Sequence, residues 1–264
     1  MEAEEERMSF KEVAVSAAKE AGEISRGYFG EPIQVSFKAR KDLVTVADVE
    51  SKKRIISIIR KHFPDHGIVG EELPAPPSDS PYKWIIDPID GTTNYVAGIP
   101  LFAVCIALCH SDDSILAVIY DPLRDELFCA EKDKGAYLNG QRIAVSDTAR
   151  LEDCVVSYSR SYHPTDEVVK SGLSVYEKIL PSVRGMRQFG GSALDFCYVA
   201  SGRLDATVSP FTDPKLEHPA GCLMVDEAGG RSTDFTGKAW DLESPSIVGT
   251  NGRIHGALLE LLRE

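Results

Sequence analysis

Trp84-Ile85-Ile86-Asp87-Pro88-Ile89-Asp90-Gly91-Thr92-Thr93-Asn94-Tyr95 is the stretch from which the rest of the chain can be read. Trp84, Ile85 and Ile86 form a short apolar run with strand character. The run ends on Asp87, Pro88 fixes the backbone beside it, and Asp90 follows. Gly91, Thr92, Thr93 and Asn94 read as a tight turn opening a helix, with hydroxyl and amide capping groups. Two carboxylates therefore share a stiff turn with backbone N–H groups at a helix mouth. Carboxylates hold hard divalent cations, and such N–H groups hold phosphate. A metal-plus-phosphate site is one reading; a strand, a proline turn and solvated acids is the other. The Gly-Thr-Thr-Asn continuation and acids elsewhere in the chain favour the first.

With 264 residues, the chain can bury a large core, as one big domain or two closely joined ones. A formal charge of −12 argues against a general nucleic-acid or acidic-membrane surface. A small anionic substrate stays possible, because a bound metal inverts the local sign. The cysteines at 105, 109, 129, 154, 197 and 222 form no Cys-x-x-Cys pair and sit mostly in apolar runs, so reduced core residues are expected. No signal peptide or bilayer-length apolar run is seen, which points to a cytoplasmic protein without a membrane partner. The acidic residues before Met8 read as a solvated tail.

Upstream, Val13, Ala17, Ala21, Ile24 and Tyr28 recur at helical spacing after a Ser9/Glu12 capping box. Residues 33 to 44 are polar and basic: an exposed loop, or a flap turning cations towards an anionic site. Thr45 to His62 is a second amphipathic helix, with Val49, Ile55, Ile56 and Ile59 apolar and Asp48 in its first turn. His66 to Gly70 is a short strand and turn, followed by Glu71 and Glu72.

After Tyr95, apolar runs at 101–109, 114–120, 127–130 and 136–145, with the hairpin signal Asn139-Gly140, predict antiparallel sheet. This gives an N-terminal α+β half, residues 1–146. Residues 147–264 alternate strands (154–157, 182–187, 205–208, 247–249) with helices (165–180, 192–200, 217–228, 253–263), an α/β half. The last helix but one opens on Glu217-His218-Pro219, with Pro219 in its first turn. Glu217 there is either a helix cap or a third acid of the site.

Taken together, Gly70-Glu71-Glu72, Trp84 to Asn94, Gly190-Gly-Ser-Ala193-Leu-Asp195 and Ala220-Gly221 with Glu227-Ala-Gly-Gly230 resemble the inositol monophosphatase-like phosphatases. The resemblance runs from Val13 to the last helix. It implies an α+β fold, the layered α/β/α/β/α sandwich of the sugar phosphatases, and a cytoplasmic homodimer. It also implies a phosphomonoesterase using two to three Mg2+ per site on a small sugar or polyol phosphate, inositol 1-phosphate, fructose 1,6-bisphosphate or both. Glu71, Asp87 and the Ile89 carbonyl would hold one metal; Asp87, Asp90 and Glu217 a second; a third would lean on Glu71. Gly91 and Thr92 N–H groups would take phosphate oxygens. Thr92, hydrogen-bonded to Asp48, would orient and deprotonate the attacking water. Gly191, Ser192 and Ala193 would line the substrate pocket.

Two departures bear on the substrate. Most inositol monophosphatases carry Trp-Asp where this chain has Leu216-Glu217, and a glutamate there is more like the fructose-1,6-bisphosphatase branch. Seven residues earlier the animal enzymes' inositol-contacting glutamate is replaced by Pro210, with Asp213 nearby. Arg160, Arg184 and Arg187 could form a second anion pocket, arginine matching phosphate through its planar fork, or could be surface residues. Alternative functions are a 3′-phosphonucleotide phosphatase and a non-catalytic regulatory member of the same fold.

Overall fold

A computed structural model of the chain describes residues 8–32, 35–39, 42–70, 78–159, 165–211 and 216–263. Helix α1 (Phe10–Tyr28) starts on the expected capping box, Ser9 and Glu12 side chains each taking the other's backbone N–H. Strands β1 (Val35–Ala39) and β2 (Asp42–Thr45) pair antiparallel, Val35 opposite Thr45, so part of the stretch expected as an exposed loop or a flap is a two-stranded ribbon. Val35-Ser36-Phe37-Lys38-Ala39 alternates apolar and polar residues, the period-two pattern of a strand. Helix α2 (Val46–His62) opens on a second capping box, between Thr45 and Asp48. Thr45 and Asp48 are buried, and Val49, expected on the apolar face, is exposed.

Strand β3 (Gly67–Gly70) runs parallel to β4 (Tyr82–Asp90). The latter does not stop at Asp87, as expected, but continues through Pro88 to Asp90. Proline is accommodated because the ladder breaks there: Asp87 pairs with Cys105 and Asp90 with Ala103, one extra residue on the β4 side. Helix α3 (Thr92–Val96) follows, then β5 (Ala103–His110), β6 (Asp113–Asp121), β7 (Glu126–Glu131), β8 (Gly135–Leu138) and β9 (Gln141–Arg142). Strands β3 to β9 make a seven-stranded sheet in chain order. The Asn139-Gly140 turn between β8 and β9 has φ of 48° and 79°, the hairpin geometry its sequence signals.

The second half contains β10 (Val155–Tyr158), α4 (Asp166–Ile179), β11 (Gly185–Arg187), α5 (Ser192–Ala200), β12 (Ala206–Ser209), α6 (His218–Glu227), β13 (Arg231–Thr233), β14 (Ile247–Thr250) and α7 (His255–Arg263). Its five-stranded sheet runs β11-β10-β12-β14-β13, with β10 parallel to β11 and β12, and β14 antiparallel to both neighbours. The three-residue β13 was not read from the sequence.

Strand β5 shows why the layers stack. Ala103, Cys105, Ala107 and Cys109 face a core with Ala193, Phe196, Ala220 and Met224 of α5 and α6. The alternate residues Val104, Ile106 and Leu108 face Val13, Ala17, Ile55 and Ile59 of α1 and α2. Small side chains on one face let α5 and α6 approach closely; large ones fill the gap to α1 and α2. A further core joins the five-stranded sheet to α4 and α7. The order α1/α2, sheet, α5/α6, sheet, α4/α7 is the layered α/β/α/β/α sandwich. All six cysteines are buried and free. Among the described residues no helix is long and apolar enough to cross a membrane.

Candidate active site

The site grows from the end of β4. The Asp87 carboxylate accepts the Ile89 N–H at 3.1 Å, which folds the bulge onto its own acid. The next acid, Asp90, is buried. Gly91 then turns the chain into α3 with a φ of 90°, and a Cβ there would lie 3.0 Å from the Leu101 carbonyl oxygen. The Thr92 hydroxyl donates to the Ile89 carbonyl at 3.0 Å. Thus Thr92 and Ile89, both expected in the site, are tied to each other.

Asp48 reaches the same neighbourhood from the start of α2. Its carboxylate accepts the Thr45 N–H at 2.8 Å and the Thr45 hydroxyl at 2.6 Å. Burial first, and then the charge of Asp48, push the Tyr95 phenol up, so Asp48 is within electrostatic reach of α3.

From the second half, α5 closes against this turn. Asn94 donates its amide to the Leu101 carbonyl at 2.9 Å and to the Phe189 carbonyl at 2.6 Å. The Ala193 N–H donates to Asp90 Oδ2 at 2.8 Å. Gly191 lies so close that an added Cβ would stand 3.0 Å from that same oxygen. The Ser192 hydroxyl donates to Glu217 Oε1 at 2.6 Å. Glu217 occupies the N-cap position of α6, yet its side chain makes no capping hydrogen bond. Of its two sequence readings, capping is therefore removed.

The charges of these groups converge. Asp90 is held well above the usual carboxylate range, by burial first and then by the charge of Glu217; N–H groups of Ala193 and Ser192 pull it back. The Cys105 thiol on β5 is pushed up by its burial and then by Asp87, Asp90 and Glu217. Carboxylates of both halves, Asp87 and Asp90 from one and Glu217 from the other, thus act electrostatically on the same strand, β5. Hard oxygen donors crowded until one raises another's pKa are a donor set suited to a hard divalent cation. Among the described residues, no group of three or more His, Cys, Asp or Glu side chains is placed to hold a metal ion. Glu71, expected to be a ligand, lies outside the described residues, as do Arg160 and Asp213.

The other two arginines of the expected anion pocket lie at the surface. Arg184 is exposed and bonded to Asp153 at 2.6 Å, a surface ion pair and not a free anion receptor. Arg187, on the edge strand β11, is exposed and donates to the Met186 carbonyl at 2.9 Å. What the sequence did not offer was Asn94 as a bond between halves, or the Ser192–Glu217 pair. Only the polar, short-chain character of residues 94 and 192 at their turns signals them.

Residues 6–264 match the family model described as the inositol monophosphatase family. The chain belongs to this family. It is 35% identical to the fructose-1,6-bisphosphatase/inositol-1-monophosphatase of Aquifex aeolicus, covering 97% of this chain and 96% of that one. It is 36% identical to the Nus factor SuhB of Pseudomonas aeruginosa, over 95% and 94% of the two chains. The solved structure of the extragenic suppressor protein suhB from Bartonella henselae superposes with a TM-score of 0.90 at 37% identity, over 96% and 98%. The two sheets and their helix layers are thus the fold of the family, and its homologues indicate a phosphatase.

Proposed function

We propose that the chain is a magnesium-dependent phosphomonoesterase of small sugar or polyol phosphates, with inositol 1-phosphate, fructose 1,6-bisphosphate or both as substrate. The observation carrying this is that Asp90 and Glu217, acids of opposite halves, are bonded by consecutive residues at the start of α5, with Asp87 three residues before Asp90 in the same turn. Asp87, Asp90 and Glu217 would hold the cations, together with Glu71 and the Ile89 carbonyl, whose remaining lone pair is available beside the Thr92 bond. When bound, the cations supply positive charge at the phosphoryl group and lower the pKa of water to near neutral.

The rest is work for the chain's own groups. Gly91 and Thr92 N–H groups would bind phosphate oxygens at the turn. The Thr92 hydroxyl, with Asp48 behind it, would orient the attacking water. Ser192 and Gly191 would border the substrate, and Arg160 and Arg187 would meet a second phosphate. Phosphoryl transfer asks mainly for positioning and charge neutralisation, so no covalent nucleophile is required. Glu217, in place of the commoner aspartate, favours a dual sugar and polyol specificity, in line with the two activities in the name of the Aquifex relative. This reading includes a homodimer in the cytoplasm, with residues 1–146 and 147–264 as the two walls of one cleft.

A second reading is regulatory, and the relative named a Nus factor supports it. Phosphate release from inositol 1-phosphate, fructose 1,6-bisphosphate and a 3′-phosphonucleotide, with and without Mg2+, separates them. Mg2+-dependent release from the first two is expected. Absence of release from all three would leave the regulatory reading.

A further inference from the structure

Glu217 has the position of a helix cap but does not cap. Its backbone is helical, with φ −85° and ψ −22°, and its carboxylate binds no N–H of α6. Instead Oε1 reaches the Ser192 hydroxyl at 2.6 Å, across to the first residue of another helix, and the His218 ring nitrogen Nε2 stands 3.7 Å from the same oxygen. The next residue of α5, Ala193, gives its N–H to Asp90. Two consecutive residues of one helix start therefore hold two acids, one from each half.

We propose that Ser192 is a positioning residue for Glu217, and that residues 192 and 217 form a matched pair fixing the second-half carboxylate relative to Asp90. The pair commits Oε1 and leaves Oε2 to a ligand. Its length requirement is strict. An aspartate on the same backbone is shorter by one carbon–carbon bond, about 1.5 Å. A 2.6 Å bond stretched by that amount lies outside hydrogen-bonding distance. The glutamate and the serine hydroxyl are thus required together, and a chain with aspartate at this position gains nothing from Ser192. Both groups are largely buried, so the charge-assisted bond is shielded from water.

The inference rests on the metal-binding reading of Glu217, and the test separates the two. Full-length wild type, Ser192→Ala, Ser192→Thr, Glu217→Asp and the Ser192→Ala/Glu217→Asp double variant are titrated with Mg2+ by calorimetry, without substrate. Their urea midpoints are measured in EDTA. Ser192→Ala is expected to weaken Mg2+ binding about tenfold in the Glu217 chain, a charge-assisted hydrogen bond's worth, and to cause no further loss in the Glu217→Asp background. Ser192→Thr, which keeps the hydroxyl, restores wild-type binding. In EDTA, the two single variants are expected to be non-additive. Equal losses in both backgrounds or additive midpoints would each overturn the pairing, as would an unchanged Mg2+ affinity with a raised KM in a parallel phosphate-release assay of Ser192→Ala, which would make Ser192 a substrate contact. If the wild type itself binds no Mg2+, the metal reading fails and the EDTA cycle alone decides the pairing.

Discussion

Two turns build the site, and they are held in opposite ways. The Asp87–Asn94 turn is local: a bulge closed by Asp87 on Ile89 N–H, a left-handed glycine, and a hydroxyl returned to the carbonyl three residues back. The Phe189–Ala193 turn is fastened by residues far from it in sequence. Its bonds run to Asn94, Asp90 and Glu217, the first two from the other half of the chain. The first turn supplies acids; the second sets the separation between them. Changes in the first should therefore remove chemistry, and changes in the second should misplace it.

The largest expected effect is at the first turn. Asp87→Asn should lower turnover by at least about a hundredfold while far-UV circular dichroism is retained, since one anionic ligand of the proposed cation site is lost and no packing is. Near-normal turnover would remove Asp87 from the site. Next comes Gly191→Ala, which puts a methyl 3.0 Å from Asp90 Oδ2 on a backbone any residue can adopt. Turnover should fall by about tenfold through displacement of Asp90, with the urea midpoint little changed. If stability falls and turnover does not, the second turn has no positioning role.

Asn94→Ala tests the bond between the turns. It removes two hydrogen bonds, to Leu101 and Phe189, and should cost about 2 kcal/mol in urea unfolding. An unchanged midpoint would show that the turns do not depend on it.

The smallest effects separate α5 from a region remote from the site. Burial pushes the Asp195 carboxyl on α5 up to about 7 from 3.8, although Ser159 donates to it at 3.1 Å. The folded chain binds a proton that the unfolded chain releases, so this group makes stability fall as pH rises from about 4 to about 7. Burial lowers His255 on α7 to about 4 from 6.5, where its ring nitrogens lie 3.0 Å from the Thr233 hydroxyl and 2.9 Å from that of Thr250. Here the unfolded chain binds the extra proton, and stability is lost as pH falls from 6.5 towards 4. Urea midpoints of Asp195→Asn and His255→Gln against pH should differ from wild type with opposite slopes. Slopes of the same sign would contradict the assignments.

The same contrast explains what the amino-acid sequence discloses. The Trp84–Asn94 element, the α5 entry at Gly190-Gly191-Ser192 and the Asn139-Gly140 hairpin are written in adjacent residues and can be read there. The continuation of β4 through Pro88 cannot, because the bulge exists only in register with Cys105 and Ala103. The β1 strand is legible in the alternation of Val35, Phe37 and Ala39; the outward turn of Val49 is not, because it depends on which face of α2 packs inward. In the site, the acids are legible by type, and their partners are not. Nothing near Ala193 in sequence announces that its N–H belongs to an aspartate 103 positions earlier.

That separation has a consequence for how the molecule acquires activity. The Asp90–Ala193 and Asn94–Phe189 bonds close loops of 103 and 95 residues. Chain closures of this length are entropically late compared with hairpins and helices, so the seven-stranded sheet can form before the acids meet. During refolding, hydrolytic competence should lag the return of secondary structure, and the interval between them is the time the two halves take to find each other.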